Sequence, residues 1–303
     1  MRLTRILGAV VAVPLALLVA LELGLRVEGA LRARSTDRPP PGTTVVLCVG
    51  DSHTRGLPDP DNYPFRLQRL VDERTPGRYR VVNLGVPGMT TGEVRARLAR
   101  WLAYYRPSAT ILWAGVNNGW RQDATPWRRR LLARLGARSR AVQFLRLTAF
   151  TGGLGFPRLE TAGFEAADWR DIRAVWRVDF AGEREELANV HGDALPPDEV
   201  EATTRADVRA IVESARAAGS RAYAITYALP GGYFRTVDRT VRAVAGEIGF
   251  PVVDTAVVVD RLRKEAPGEP LFDTTIHPRA ILYRGVADAV YATLVADGAV
   301  AAR

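Results

Sequence analysis

The chain has 303 residues, 47% of them hydrophobic and 25% charged, and a formal net charge of +9. These proportions suit one large globular domain or two small ones and exclude a disordered or low-complexity chain. The positive charge is almost all arginine, with Lys264 the sole lysine, and most of it alternates with Asp and Glu. A solvated surface accounts for that pattern, so no nucleic-acid partner is expected. Cys48 is the only cysteine, which excludes an intrachain disulfide.

The first element is an apolar run, Ile6 to Leu25, whose only charge is Glu22. A helix of about twenty residues spans roughly 30 Å of hydrocarbon. Residues 1–26 are therefore expected to form a transmembrane signal anchor, with Arg2 and Arg5 favouring a cytoplasmic N-terminus. No convincing Ala-x-Ala cleavage site follows the run; Val27-Glu28-Gly29 is a marginal one, and a cleaved signal is the competing reading. Residues 27–43, rich in Pro and Arg, read as a stiff linker. On either reading the remainder is expected outside the cytoplasm.

From Thr44 the chain alternates strand and helix. Val45–Val49 reads as a strand, Tyr63–Glu73 as a helix, and Tyr79–Leu84 as a second strand. Thr90-x-x-Glu93 is a capping box that opens a helix with Val94, Leu98, Trp101, Leu102 and Tyr105 on one face. Ala109–Ala114 is a third strand. After a break come a helix over Asp207–Ala218, a strand over Arg221–Tyr227, a helix around Val237–Ile248, a strand over Pro251–Asp254 and a last helix over Ile281–Val295. Five strands joined by crossover helices predict a parallel sheet covered on both faces, within a domain spanning 44–300.

Between Trp120 and about Asp198 the rhythm breaks, and a helical insertion is expected over about 121–198. Its first part, Trp127–Leu147, carries seven arginines and no acid. A basic amphipathic helix of this kind fits an anionic membrane surface, but a lid helix packing its leucines on the domain is the favoured reading. Trp169, Trp176 and Tyr233 are candidate stacking platforms for sugar rings, against the commoner fate of burial.

Candidate chemistry lies after the strands and near the C-terminus. Gly50-Asp51-Ser52 follows the first strand and offers a hydroxyl at the carboxyl edge of the sheet. Gly85 follows the second strand, where a glycine allows close backbone approach. Asn117 follows the third, where its side-chain amide can donate to a developing oxyanion. His277, in Asp273-Thr274-Thr275-Ile276-His277-Pro278, precedes the last helix and is the favoured base. His53 adjoins Ser52, but neighbouring side chains in a turn diverge; His191 lies in the insertion. No His or Cys cluster suggests a metal, and no glycine-rich phosphate loop suggests a nucleotide cofactor.

In joint order and spacing these four segments resemble the signature blocks of the SGNH (GDSL-type) hydrolase superfamily. The resemblance runs from about Thr44 to Leu294, apart from the insertion. It implies a flavodoxin-like three-layer α/β/α sandwich and a serine esterase with Ser52 as nucleophile and His277 as base. It also implies an oxyanion hole of Ser52 N–H, Gly85 N–H and the Asn117 amide. Two positions depart from the pattern. The acid usually found three residues before the histidine is Thr274, leaving Asp273 as the candidate orienter, and Asn118 replaces the usual Asp after Asn117. The expected substrates are ester-linked acyl groups on small molecules or on envelope and extracellular glycans. Two alternatives stay open: an acyltransferase using the same residues, and a non-catalytic glycan-binding or scaffold protein on a degenerate hydrolase fold.

Overall fold

The computed structural model describes residues 13, 16–27, 39–56, 60–119, 173–180, 183–190, 195–229, 231–273 and 277–301. Its strands in chain order are β1 (Thr44–Gly50), β2 (Tyr79–Gly85), β3 (Ala109–Trp113), β4 (Arg173–Phe180), β5 (Glu183–Val190), β6 (Arg221–Ile225) and β7 (Val252–Val253). The helices are α1 (Ser52–Arg55), α2 (Tyr63–Arg74), α3 (Thr91–Tyr105), α4 (Pro197–Ala217), α5 (Gly232–Ile248), α6 (Thr255–Glu265) and α7 (Ala280–Ala296), with a 3₁₀ turn at Val116–Gly119. β1, β2, β3, β6 and β7 form one parallel sheet in the order β2-β1-β3-β6-β7.

Parallel strands buried on both faces read as continuous apolar runs. Val45–Val49 is such a run, and β3 is buried along its whole length. α2 and α6 pack on α7, while α3 and α5 pack on α4. Two helical groups thus cover the sheet, in agreement with the expected five-stranded α/β arrangement. The chain leaves β1 toward β2 on one side and returns to β3 on the other. Such a reversal opens a crevice at the carboxyl ends of the two strands. Ser52 follows β1 and Asn117 follows β3, so the topology alone brings these two residues to that crevice.

Two helices differ from expectation. α4 begins at Pro197, ten residues early, with Asp198 and Glu199 in its first turn, where acids complement the helix dipole. Its buried face passes through Thr204 and Asp207, polar residues that interrupt the apolar periodicity. α6 was hidden because its Val257-Val258-Val259 run is β-branched. Asp254 decides the matter as N-cap, its side chain accepting from Ala256 N–H at 3.0 Å.

The sheet and its helices lie in a compact unit of residues 38–121, 166–172 and 189–303. A second unit comprises residues 1–37, 122–165 and 173–188. Within the insertion, residues 173–180 and 183–190 form the two-stranded β4-β5 sheet, and the helix expected earlier in it lies outside the described residues. The sequence of β4 alternates Ala174, Trp176, Val178 and Phe180 with other residues, a period of two that marks a strand. Trp127–Leu147, Trp169 and His191 lie outside the described residues. Of the N-terminal run, residues 13 and 16–27 are helical. Among the described residues no helix is long and apolar enough to cross a membrane, so the expected transmembrane helix is not found there.

Candidate active site

The carboxyl end of β1 turns directly into α1, and the turn requires glycine. A Cβ on Gly50 would lie 2.0 Å from the Trp113 carbonyl oxygen and 2.3 Å from Thr54 Oγ1. Both atoms belong to the bonds that hold the loop: Thr54 Oγ1 donates to Trp113 O at 3.0 Å, and Asp51 N–H donates to the same oxygen at 3.1 Å. Asp51 caps α1, its Oδ1 accepting from His53 N–H at 2.9 Å. Ser52 is thereby the first helical residue, half-buried at the rim.

His277 approaches Ser52 from the other end of the chain. Its Nε2 lies 2.8 Å from Ser52 Oγ, across 225 positions of sequence. This is hydrogen-bond distance for a hydroxyl and an imidazole. The loop that carries the ring is closed locally. Asp273 N–H donates to His277 O at 2.9 Å, Asp273 Oδ1 accepts from His277 N–H at 3.0 Å, and Phe272 bridges Pro278 in antiparallel fashion. Asp273 therefore fixes the main chain of His277. Residues 274–276, including Thr274, lie outside the described residues.

Asn117 sits on the 3₁₀ turn after β3. Its Nδ2 donates to Met89 O at 3.3 Å and reaches Asp51 Oδ2 at 3.5 Å. These are long bonds, which leave the amide available to a closer acceptor. Gly85 stands differently. Its N–H donates to Asn83 Oδ1 at 2.9 Å, and a Cβ there would lie 2.3 Å from Arg55 N. Gly85 thus lets β2 pass against α1, and its amide is already engaged. Three residues on, Gly88 has a left-handed φ of 78° in the turn where Met89 N–H donates to Val86 O at 3.0 Å. The Asn117–Met89 contact holds that turn beside the Asn117 amide.

Beneath the rim is a buried polar network that sequence reading missed. Asp51 is 0% exposed. Its Oδ2 accepts from the Tyr227 hydroxyl at 2.5 Å, and that hydroxyl also receives Val116 N–H at 3.4 Å. Tyr227, just past β6, so ties the first signature loop to the third. Burial pushes its phenol well above the ordinary tyrosine range, and the Asp51 charge and hydrogen bond push it further. Tyr227 accordingly stays a neutral donor. Tyr283, on α7, is raised first by burial and then by the charges of Asp51 and Asp273. The available signal for Tyr227 was its position, a polar aromatic after a strand at the same sheet edge as Ser52 and Asn117.

Asn118 also has a place. Its Oδ1 accepts from Thr91 N–H at 3.0 Å, and its Nδ2 donates to Thr91 Oγ1 at 2.7 Å and Thr204 Oγ1 at 2.8 Å. Thr91 Oγ1 in turn donates to Asp207 Oδ2 at 2.7 Å. An amide suits this position because it can donate and accept at once. The His53 ring makes no hydrogen bond to Ser52 and is 2% exposed. Tyr233 lies over Gly119, where a Cβ would meet its ring at 2.2 Å, and its hydroxyl donates to Leu195 O at 2.7 Å. That ring is packed into the fold, which disfavours a role as a sugar platform.

The sequence and the fold have parallels in known proteins. The GDSL-like lipase/acylhydrolase family matches residues 48–284, which includes every signature segment named above. Similar solved structures include LAE5, an α/β hydrolase from the metagenome of Lake Arreo, Spain, with TM-score 0.50, 18% identity, and coverage of 85% of this chain and 96% of that one. TesA is similar at TM-score 0.48 and 18% identity, covering 83% of this chain and 98% of that one. A catalytic mutant of Axe2, an acetylxylan esterase from Geobacillus stearothermophilus, is similar at TM-score 0.48 and 18% identity, covering 84% and 95%. At such identity the likeness is one of fold. No curated protein sequence matches the chain. The match over most of its length places the chain in the GDSL-like lipase/acylhydrolase family, as a hydrolase of ester bonds.

Proposed function

We propose that Ser52 is the nucleophile and His277 the general base of a serine esterase. The observation that carries this reading is the 2.8 Å contact between Ser52 Oγ and His277 Nε2. With its proton on Nδ1, His277 takes the Ser52 proton at Nε2 as Oγ attacks the ester carbonyl. The tetrahedral oxyanion collapses, His277 protonates the departing alkoxide, and an acyl-Ser52 forms. Water, deprotonated by His277, then attacks the acyl carbon and releases the acid and the free serine.

The oxyanion would be met by Ser52 N–H, at the start of α1, and by the Asn117 amide. Because Gly85 N–H is given to Asn83, we assign the third donor to Gly88. Asp273 acts as positioning residue through the His277 main chain.

The substrates we infer are small acyl esters, with O-acetyl groups on envelope or extracellular glycans the leading class. That class follows from location. Val13, Leu17, Leu18, Val19, Leu23 and Val27 are exposed apolar side chains on the N-terminal helical stretch, which supports a membrane-anchored protein with its catalytic domain outside the cytoplasm.

Fluorophosphonate labelling and hydrolysis of p-nitrophenyl acetate, compared between wild type and Ser52→Ala, test the chemistry. Labelling that requires Ser52 supports it; a folded wild type that neither labels nor hydrolyses overturns it. Acetate release from acetylated polysaccharide tests the substrate class. Turnover confined to synthetic or lipid esters overturns the glycan assignment.

A further inference from the structure

His53 lies beside the Ser52–His277 pair, and the reaction above gives it no task. It is 2% exposed, and among the described residues neither of its ring nitrogens has a hydrogen-bond partner. A buried polar atom left without a partner destabilises a fold, so an apolar ring of the same size would suit this position better on stability alone. The surroundings are aromatic: Tyr227 meets the ring edge-on at 4.7 Å between centroids, Trp113 lies at 5.4 Å, and Phe234 at 6.0 Å.

Two contacts set this histidine apart from packing. Its Nδ1 lies 3.5 Å from Asp51 Oδ1, just beyond ordinary hydrogen-bond length. Its ring lies 5.1 Å from the His277 ring, with an interplanar angle of 31°. A chain of contacts therefore runs from the buried Asp51 carboxylate through His53 to His277 and on to Ser52.

We propose that His53 is a positioning residue that couples the Asp51 carboxylate to His277 and stabilises the imidazolium that forms when Ser52 attacks. The inference rests on the assignment of Ser52 and His277 as nucleophile and base. With its proton on Nδ1, on the side of Asp51, the neutral His53 ring keeps an Nε2 lone pair beside that cation, which a phenyl ring lacks. A carboxylate one contact behind adds Coulombic attraction that water does not screen. Other titratable groups lie around this chain of contacts: Asp273 on the His277 loop, and Tyr227 after β6 and Tyr283 on α7, both near enough to Asp51 to feel its charge. Both tyrosines are held neutral, so the carboxylates supply the compensating charge.

His53→Phe keeps the ring, its volume and the contacts with Trp113, Tyr227 and Phe234, and removes both nitrogens. Full-length wild type and variant are compared for p-nitrophenyl acetate hydrolysis across pH, with Tm as the check on folding. The expected result is a loss in kcat of about tenfold at unchanged KM, the scale of one close charge contact. The acid limb of kcat/KM should move to lower pH, because a less stabilised imidazolium releases its proton more readily. Tm should hold or rise. Should Phe fail to fold, His53→Leu gives the same reading. A folded variant with wild-type kcat and an unmoved acid limb makes His53 a packing residue and overturns the proposal. Fluorophosphonate labelling of wild type separates the two levels: labelling at Ser52 with an inert His53 variant defeats this inference alone, and absence of labelling defeats it together with the esterase reading.

Discussion

The two sides of the Ser52–His277 contact are held in different ways. On the nucleophile side, the loop after β1 is fixed by partners distant in sequence. Trp113 O receives Asp51 N–H and Thr54 Oγ1, Val86 N–H reaches Gly50 O, and Tyr227 holds the Asp51 carboxylate. On the base side, the ring of His277 is carried by a loop whose described bonds join Asp273 to His277 and Leu271 and Phe272 to Arg279. Long-range bonds share the stability of the whole domain, whereas a locally closed loop can open with little cost to the sheet. The nucleophile is therefore built into the core, and the base is delivered to it. Removing a hydrogen-bonding partner that holds the first side should lower stability and activity together; substitutions on the second side should lower activity alone.

The largest effects probe both ends of the contact. Ser52→Ala and His277→Ala should each reduce kcat by about 10⁴-fold or more, and the double variant should be no worse than either, since the two act as one unit. Additive losses measured by steady-state kinetics would show that the two residues do not share a step. Asn117→Ala should cost on the order of 10² to 10³ in kcat with little change in KM, as expected for a donor used only in the transition state. A rise in KM at constant kcat would instead make Asn117 a ground-state binding residue.

The contrast also explains what the sequence discloses. β1 and β3 were legible because strands buried on both faces are apolar runs, and Ser52 and Asn117 were legible because they follow those runs. His277 was found by its order among the signature segments, and His53, the more buried of the two, was set aside because it adjoins Ser52. Tyr227 was missed because its bond to Asp51 spans 176 positions and leaves no periodic trace. Gly85 was read as an amide donor, whereas the close approach of Arg55 makes it a packing glycine with its N–H engaged. Glycines that admit a ligand and glycines that admit a neighbouring strand look alike until the backbone is placed.

Smaller effects sharpen the nucleophile side. Asn118→Ala removes the partner of Thr91 N–H and of two buried threonine hydroxyls, and should lower stability by about 2 kcal/mol or more. Tyr227→Phe leaves a fully buried carboxylate short of one donor and should lower stability by about 1–3 kcal/mol. Chemical denaturation measures both. If kcat also falls several-fold in folded Tyr227→Phe, the Tyr227–Asp51 bond positions the rim as well as supporting it. A fall in kcat with unchanged denaturation midpoints would break the comparison, because the core side would then behave like the base side.

Asp273 provides the finest test. Its described bond is to the main chain of His277, and a carboxamide oxygen can accept that N–H as well as a carboxylate can. Asp273→Asn should therefore keep kcat within about threefold of wild type, whereas Asp273→Ala, which loses the acceptor, should lose about tenfold. Neither should move the denaturation midpoint much, since the loop is closed on itself. Were Asn as damaging as Ala, the negative charge and not the acceptor would be what His277 needs. Asp273 would then do for the imidazolium what a carboxylate at position 274 would otherwise do. The base side would have to be redrawn as an electrostatic support, and the pH–rate profile of Asp273→Asn would show it, with an acid limb displaced to lower pH.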